Sequence, residues 1–327
     1  DAATSPGVAV GAENAVNMAT IYMRQGRMAE AVKVLEAEYG RSPQDRTVRL
    51  NLAQAWARSG RVPEALKMYR GLRADEPRDL AVVEDYAHAL MGAGQFAHAV
   101  AVYDSGLAVD PKWAWGLAGK GYGMHRLGKS REGAALVAQA QQLDARLPRS
   151  YFYGGVIALE AGDRATARTQ LTRSLELDPV DEQSALALSS VLLDANDIPG
   201  ARAVLEKTLS AAGNAPRLAG QLGFVYMQMQ QPAQAVPHFK SAVEALAAAK
   251  QDDPSLMGNL GVAQAMSGDL EGGITTFKRM IELWPDSAEA HGQLGGFYAQ
   301  HSGLIKTLGG VALTVALAHL KDRQTQS

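Results

Sequence analysis

The chain has 327 residues, no cysteine, and 32 Lys and Arg against 34 Asp and Glu, a net charge of −2. Without cysteine there is no disulfide framework, thiolate metal site or cysteine nucleophile, and a near-neutral balance lacks the basic excess of a nucleic-acid binder. Aromatic residues make up only 6%, so the core has to close through small residues and short helix–helix distances rather than through large side chains.

The opening stretch 1–11 (DAATSPGVAVG) is small, uncharged after Asp1 and interrupted by Ser-Pro-Gly. It reads as a flexible lead-in of the kind that follows a removed signal peptide. From residue 12 a period takes over. Gly26, Gly60, Gly94, Gly128 and Gly162 are 34 residues apart, Pro43, Pro77 and Pro111 keep that interval, and Ala31, Ala65 and Ala99 do so again. Repeats at such a period mean stacked supersecondary units.

Each unit carries two helical patterns. In the first helix a large residue precedes a small one, as in Met18-Ala19, Leu52-Ala53, Tyr86-Ala87, Leu222-Gly223 and Leu260-Gly261. Another large residue follows three places on, at Tyr22, Trp56, Leu90 and Tyr226, which is one face of a helix at 3.6 residues per turn. The small residue lets the second helix come close, and Ala31 or Ala65 answers it there. Leu35, Tyr69, Tyr103, Leu171, Leu205, Phe239 and Phe277 fill the space between units. Proline ends the second helix, and Asp45, Asp79, Asp181 and Asp286 are placed to cap the next first helix.

With small, aromatic and proline positions in a 34-residue register, the chain resembles the tetratricopeptide-repeat (TPR) family. The resemblance implies an all-α fold, a right-handed α-solenoid of helix-turn-helix repeats over 12–303. The units are 12–45, 46–79, 80–113, 114–147, 148–181, 182–215, 216–249 and 254–287, with a ninth first helix at 288–301. The fourth departs most, with Gly121, Gly133 and Ala145 at the small, Ala and Pro positions. The four-residue insertion at 250–253 is close to one helical turn, and is expected to lengthen the helix before it.

The resemblance also implies that the first helices line a concave face where a protein partner, as a peptide or a helix, is held. One position on that face reads Asn17, Asn51, Asp85, Gly119, Tyr153, Ala187, Gln221, Asn259 and Gln293. Its Asn and Gln resemble the asparagine ladder of the TPR region in O-linked N-acetylglucosamine transferase, which would hold an extended backbone. They also read as ordinary polar groups on a wet surface. The ladder breaks where Trp115, Tyr122, His125, Phe152 and Tyr153 cluster in two adjacent units, and these are expected to form an exposed aromatic anchor for a partner. Arg24, Arg58 and Arg126 would add a basic margin favouring acidic partners. Chaperone-tail binding is not expected, because the carboxylate-gripping positions are occupied by Val16, Thr20, Asn51, Ala81 and Asp85.

No enzymatic chemistry, metal or cofactor is expected. The segment from Gly123 to Ser130 (GMHRLGKS) matches a phosphate-binding loop, but such a loop follows a strand and opens a helix, and here Gly128 is the repeat's turn glycine. The histidines form no H-x-x-x-H or H-E-x-x-H pair, and no G-x-S-x-G elbow occurs.

The last segment, 304–327, is an apolar helix with a polar tail. Leu304, Leu308, Val311 and Val315 lie along one side, and Leu313, Leu317 and Leu320 along another. One side would cover the last unit, leaving the other to dock on a partner or a membrane surface. The alternative is a helix folded back into the solenoid. The run is too short and too interrupted for a membrane span, so membrane contact is expected only through this helix.

A processed-looking start and an Ala/Arg/Gly-rich repeat chain resemble bacterial envelope assembly factors, such as TPR lipoproteins of Flp/Tad-type pili and secretin-linked or export systems. The resemblance implies a non-catalytic scaffold binding an envelope-complex subunit, periplasmic or membrane-associated rather than cytoplasmic. A cytoplasmic adaptor and a self-assembling structural protein are the other readings.

Overall fold

The computed structural model describes residues 6–249 and 251–288, with 291, 292, 295 and 296 beyond them. Every regular element among the described residues is α-helical. The chain divides into two compact units, 1–191 and 192–327.

The first unit holds α1 (Pro6–Arg24), α2 (Met28–Arg41), α3 (Arg46–Arg58), α4 (Val62–Asp75), α5 (Leu80–Gly92), α6 (Phe96–Leu107), α7 (Ala114–Arg126), α8 (Ser130–Leu143), α9 (Pro148–Glu160), α10 (Arg164–Leu177) and most of α11 (Glu182–Asp194). Odd-numbered helices are the first of each pair. The expected lead-in is shorter than the composition implied, since α1 already begins at Pro6. Proline needs no amide donor in the first turn of a helix, and the Val and Ala residues that follow extend it.

The start and end signals act locally. Asp45 and Asp79 accept from the backbone N–H of Val48 (3.0 Å) and Ala81 (2.9 Å), and Asp181 accepts from Ser184 (3.2 Å). Each such cap stabilises by about 1 kcal/mol. Asp163 does the same for a second helix, bonding Thr166 N at 3.0 Å, a cap that the period of the first helices does not reveal. The helix expected after Asp286 falls mostly outside the described residues.

The turn within each pair needs a left-handed backbone. Gly26, Gly60, Gly94, Gly128 and Gly162 have φ between +72° and +84°, a region open to glycine without steric cost. Gly128 is therefore a turn residue with α7 before it, and the phosphate-loop lookalike follows a helix rather than a strand.

Close approach governs the packing. Ala19 with Ala31, Ala53 with Ala65 and Ala87 with Ala99 are fully buried across their helix pairs. In the fourth pair both positions are glycine. A Cβ on Gly121 would stand 2.7 Å from the carbonyl oxygen of Gly133, and one on Gly133 would stand 2.4 Å from that of Gly121, so α7 and α8 meet backbone to backbone. Leu35, Tyr69, Tyr103 and Leu171 are buried between pairs, each worth roughly 1.5–3 kcal/mol against exposure.

The layers differ in spacing. From α1 to α9 each odd helix packs on the next odd helix, whereas among the described residues no two even helices of this unit meet. A layer held tightly along one side curves toward that side. The odd helices therefore line the inner, concave face of the first unit.

The second unit holds the end of α11, then α12 (Ile198–Ala212), α13 (Pro216–Gln228), α14 (Pro232–Ala248), α15 (Pro254–Met266) and α16 (Leu270–Leu283). At 17 residues, α14 is the longest even helix described, and it lies just before the insertion, as expected. Asp197, Asp253 and Asp269 cap α12, α15 and α16. The turn position is kept but its residue changes: Asn196 and Gln230 adopt φ +59° and +58°, and Gly268 +96°. Most of the ninth first helix, with Gln293, and all of 304–327, with Leu313, Leu317 and Leu320, lie outside the described residues.

Candidate functional site: the inner face of the first unit

Neighbouring odd helices meet at a constant offset. Gln54 on α3 donates through Nε2 to Asp85 Oδ2 on α5 at 2.8 Å. Tyr122 on α7 stacks on Tyr153 of α9, with ring centroids 4.5 Å apart and planes 7° from parallel. Both pairs are separated by 31 residues. Counted from His88 of α5, the same offset reaches Gly119 of α7, which has no side chain.

That gap is filled from behind. A Cβ on Gly119 would lie 2.2 Å from Cζ and 2.4 Å from the hydroxyl oxygen of Tyr103. Tyr103 is rooted on the outer helix α6 and is 2% exposed, so its phenol passes against the α7 backbone at the place an ordinary side chain would occupy. Trp113, at the start of α7, packs on it with ring centroids 6.0 Å apart. Gly106 and Gly116 make room for the indole, whose ring atoms lie where their Cβ atoms would be.

The charges acting on the Tyr103 phenol come from Glu84 and Asp85 of α5 and Arg149 and Tyr153 of α9. The Arg149 guanidinium lies 5.4 Å from the Phe152 ring centroid and 5.9 Å from that of Tyr153, and it donates to Gln183 Oε1 at 2.6 Å. Burial pushes the Glu84 carboxyl up to about 7, helped by the neighbouring Asp85 charge and opposed by Arg149. Burial also raises Asp85, against the hydrogen bond from Gln54. Partial desolvation, then Arg149, holds the His88 imidazole below its ordinary value. The Tyr103 and Tyr153 phenols are raised by burial, and Tyr103 feels the charges of Tyr153, Glu84, Arg149 and Asp85 in turn.

Of the expected aromatic anchor, Tyr122, Phe152 and Tyr153 come together, with Phe152 and Tyr153 centroids 5.7 Å apart. Two members are not exposed. Tyr153 is buried because Tyr122 lies flat on it. His125 is 8% exposed, its Nδ1 3.0 Å from Ser130 Oγ and its Nε2 2.9 Å from Glu160 Oε2, so it ties α7 to α8 and α9. Trp115 is 40% exposed and takes no part in the ring pairs of this cluster.

The Asn/Gln row is not a uniform ladder in the first unit. Asn17 is exposed, Asn51 donates to Thr47 O of its own helix at 2.8 Å, and Asp85 is engaged by Gln54. In the second unit Gln221 is half-buried and Asn259 exposed. Of the three arginines expected as a basic margin, Arg126 lies 4.6 Å over the Phe96 ring and donates to the Tyr122 hydroxyl at 3.1 Å. Glu84, Tyr103 and Arg149 belong to no motif that marks them as site residues; the signal that leads to them is the 31-residue offset, which exposes the Gly119 gap beside them. Among the described residues no group of three or more His, Asp or Glu is arranged to hold a metal ion.

No curated protein matches the chain. Solved structures of similar fold include a tetratricopeptide repeat protein from Parabacteroides merdae (15% identity, 78% of this chain and 99% of that one, TM-score 0.51). Another is pilF of Pseudomonas aeruginosa (17% identity, 69% of this chain and 98% of that one, TM-score 0.54). The APC/C hetero-tetramer Cut9–Hcn1 is similar over 86% of this chain and 54% of the other, at 14% identity and a TM-score of 0.55. At these identities the likeness is one of fold. Models of the tetratricopeptide repeat match residues 16–79, 58–118 and 117–267, and the chain belongs to the tetratricopeptide-repeat family.

Proposed function

We propose that this chain is a non-catalytic scaffold that holds a protein partner on the inner face of its first unit, with the α7–α9 aromatic cluster as anchor. Tetratricopeptide repeats are in general protein-interaction modules, so the finer question is where and what. The observation that carries the reading is the Tyr122–Tyr153 stack, flanked by Phe152 and Arg149 on the concave side. Rigid aromatic surface in a groove is what interface hot spots are made from. Trp115, exposed on the same helix as Tyr122, extends that surface.

For setting, we infer assembly of a bacterial cell-envelope complex, such as a pilus, secretin or export system. Support comes from the fold likeness to pilF. The apolar 304–327 segment would be the second docking element. A chemical cross-linking pull-down from native cells tests both. The whole chain is compared with Trp115→Ala/Phe152→Ala and with a chain ending at Ser302. Loss of one envelope subunit from the double variant, with helicity retained, is the expected result. Unchanged capture by the double variant overturns the groove assignment. A cytoplasmic enzyme as the cross-linked partner overturns the envelope setting.

A further inference from the structure

We propose that the cavity against the outer helix α10 is an anion site, taking a phosphoryl group, free or on a small sugar-sized molecule, between Arg168 and Arg173. The site is separate from the inner-face groove and does not depend on it.

The cavity measures about 580 Å³, and its lining includes Arg168, Gln170, Thr172, Arg173 and Glu176 of α10 and Tyr151 of α9. Among the described residues no other outer helix of the first unit packs on α10. The volume falls within the roughly 300–1,000 Å³ of small-molecule sites. Apart from the Tyr151 ring these groups are polar, so the cavity favours a polar ligand.

Charge gives the sign. Two guanidinium groups line the cavity against one carboxylate. Glu176 holds only Nη1 of Arg173, at 2.9 Å, and the two side chains are 58% and 43% exposed. Such a pair contributes little and opens readily. The carbonyl oxygen of Gln170 accepts from Gln141 Nε2 at 2.8 Å, which leaves Gln170 its amide as a donor. The Tyr151 hydroxyl donates to Ala145 O at 3.2 Å, and its ring centroid lies 5.9 Å from the Arg173 guanidinium. Tyr151 therefore offers a ring face, against which the organic part of a monoester can lie.

The choice of anion follows from Glu176. A carboxylate ligand exchanges one carboxylate for another at Arg173 and gains little. A phosphoryl group carries close to two negative charges and three strong acceptor oxygens, which the planar forks of two arginines match. With Glu176 displaced toward solvent, the charges balance. A cationic ligand meets the excess positive charge instead.

Isothermal titration calorimetry of the full chain at fixed ionic strength tests the site, with inorganic phosphate, glucose 6-phosphate and gluconate as probes. Both phosphates are expected to bind, and gluconate to bind about tenfold more weakly, the effect of one charge-assisted hydrogen bond. Arg168→Gln and Arg173→Gln should each weaken glucose 6-phosphate by a similar factor, with far-UV spectra unchanged. Glu176→Gln should tighten it about threefold, because the competing carboxylate is gone, a gain that a damaged fold does not produce. Glucose 6-phosphate tighter than inorganic phosphate assigns the group to a monoester, equal affinities assign it to the free ion, and either supports the site. Gluconate as tight as glucose 6-phosphate overturns the phosphoryl assignment. Failure of both phosphates to bind, or affinities unmoved by both arginine variants, overturns the site altogether.

Discussion

The phenol of Tyr103 and the backbone of Gly119 share one place in the fold, with only 2.2 Å between Tyr103 Cζ and the position of a Cβ on residue 119. A side chain of the outer layer reaches the inner face because a residue of the inner layer has none. Gly119→Ala should therefore lower stability by about 1–3 kcal/mol, as overpacking does. The cost should shrink in a Tyr103→Leu background, where the far end of the ring is gone. Urea denaturation of the four species gives the coupling, and strictly additive effects would contradict the shared position.

Two tryptophans two residues apart should behave in opposite ways. Trp113 is buried on Tyr103, and Trp113→Ala is expected to cost about 3–5 kcal/mol by leaving a cavity. Trp115 is 40% exposed, and Trp115→Ala should stay within about 0.5 kcal/mol of the parent. Thermal melts followed by circular dichroism separate them.

Asn196 and Gln230 hold the left-handed turn conformation that glycine supplies in the first unit. Gln230→Gly should stabilise by up to about 1 kcal/mol through relief of Cβ crowding. The gain at Asn196→Gly should be smaller, because Asn tolerates this region better. A fall in melting temperature at Gln230→Gly would contradict the turn geometry.

Glu84 makes stability depend on pH with a definite sign. Its carboxyl titrates at about 7 in the fold, against a reference of 4.5. Ionising it thus costs more in the native chain than in the unfolded one. The penalty is absent well below pH 4.5, grows between 4.5 and 7, and is complete above 7. Glu84→Gln should raise stability by about 1–2 kcal/mol at pH 8, after allowance for its partial exposure, and by almost nothing at pH 4. Melting temperatures of parent and variant across that range check it, and an equal gain at both ends would refute the assignment.

Much of the architecture is legible in the order of residues alone. The 34-residue interval of Gly, Pro and Ala marks out the helix pairs, because each of these residues answers a local demand: a left-handed turn, a helix stop, a close approach. Asp45, Asp79 and Asp181 are readable as caps for the same reason. Asp253 keeps the same place once the four-residue insertion is counted, and Asp163, Asp197 and Asp269 keep the interval at the start of second helices, whereas the turns at 196 and 230 are hidden because another residue stands where glycine does elsewhere.

The site is only half legible. Sequence by itself determined that Tyr122, Phe152 and Tyr153 lie on first helices of adjacent units, since that follows from period alone. Which rings are covered, and by what, depended on side chains from neighbouring helices. Tyr122 lies flat over Tyr153, Ser130 and Glu160 hold His125, and Tyr103 arrives from the outer layer through the gap at Gly119. Periodicity places a residue on a face of its own helix, whereas exposure and charge balance on that face are set by packing between helices far apart in sequence.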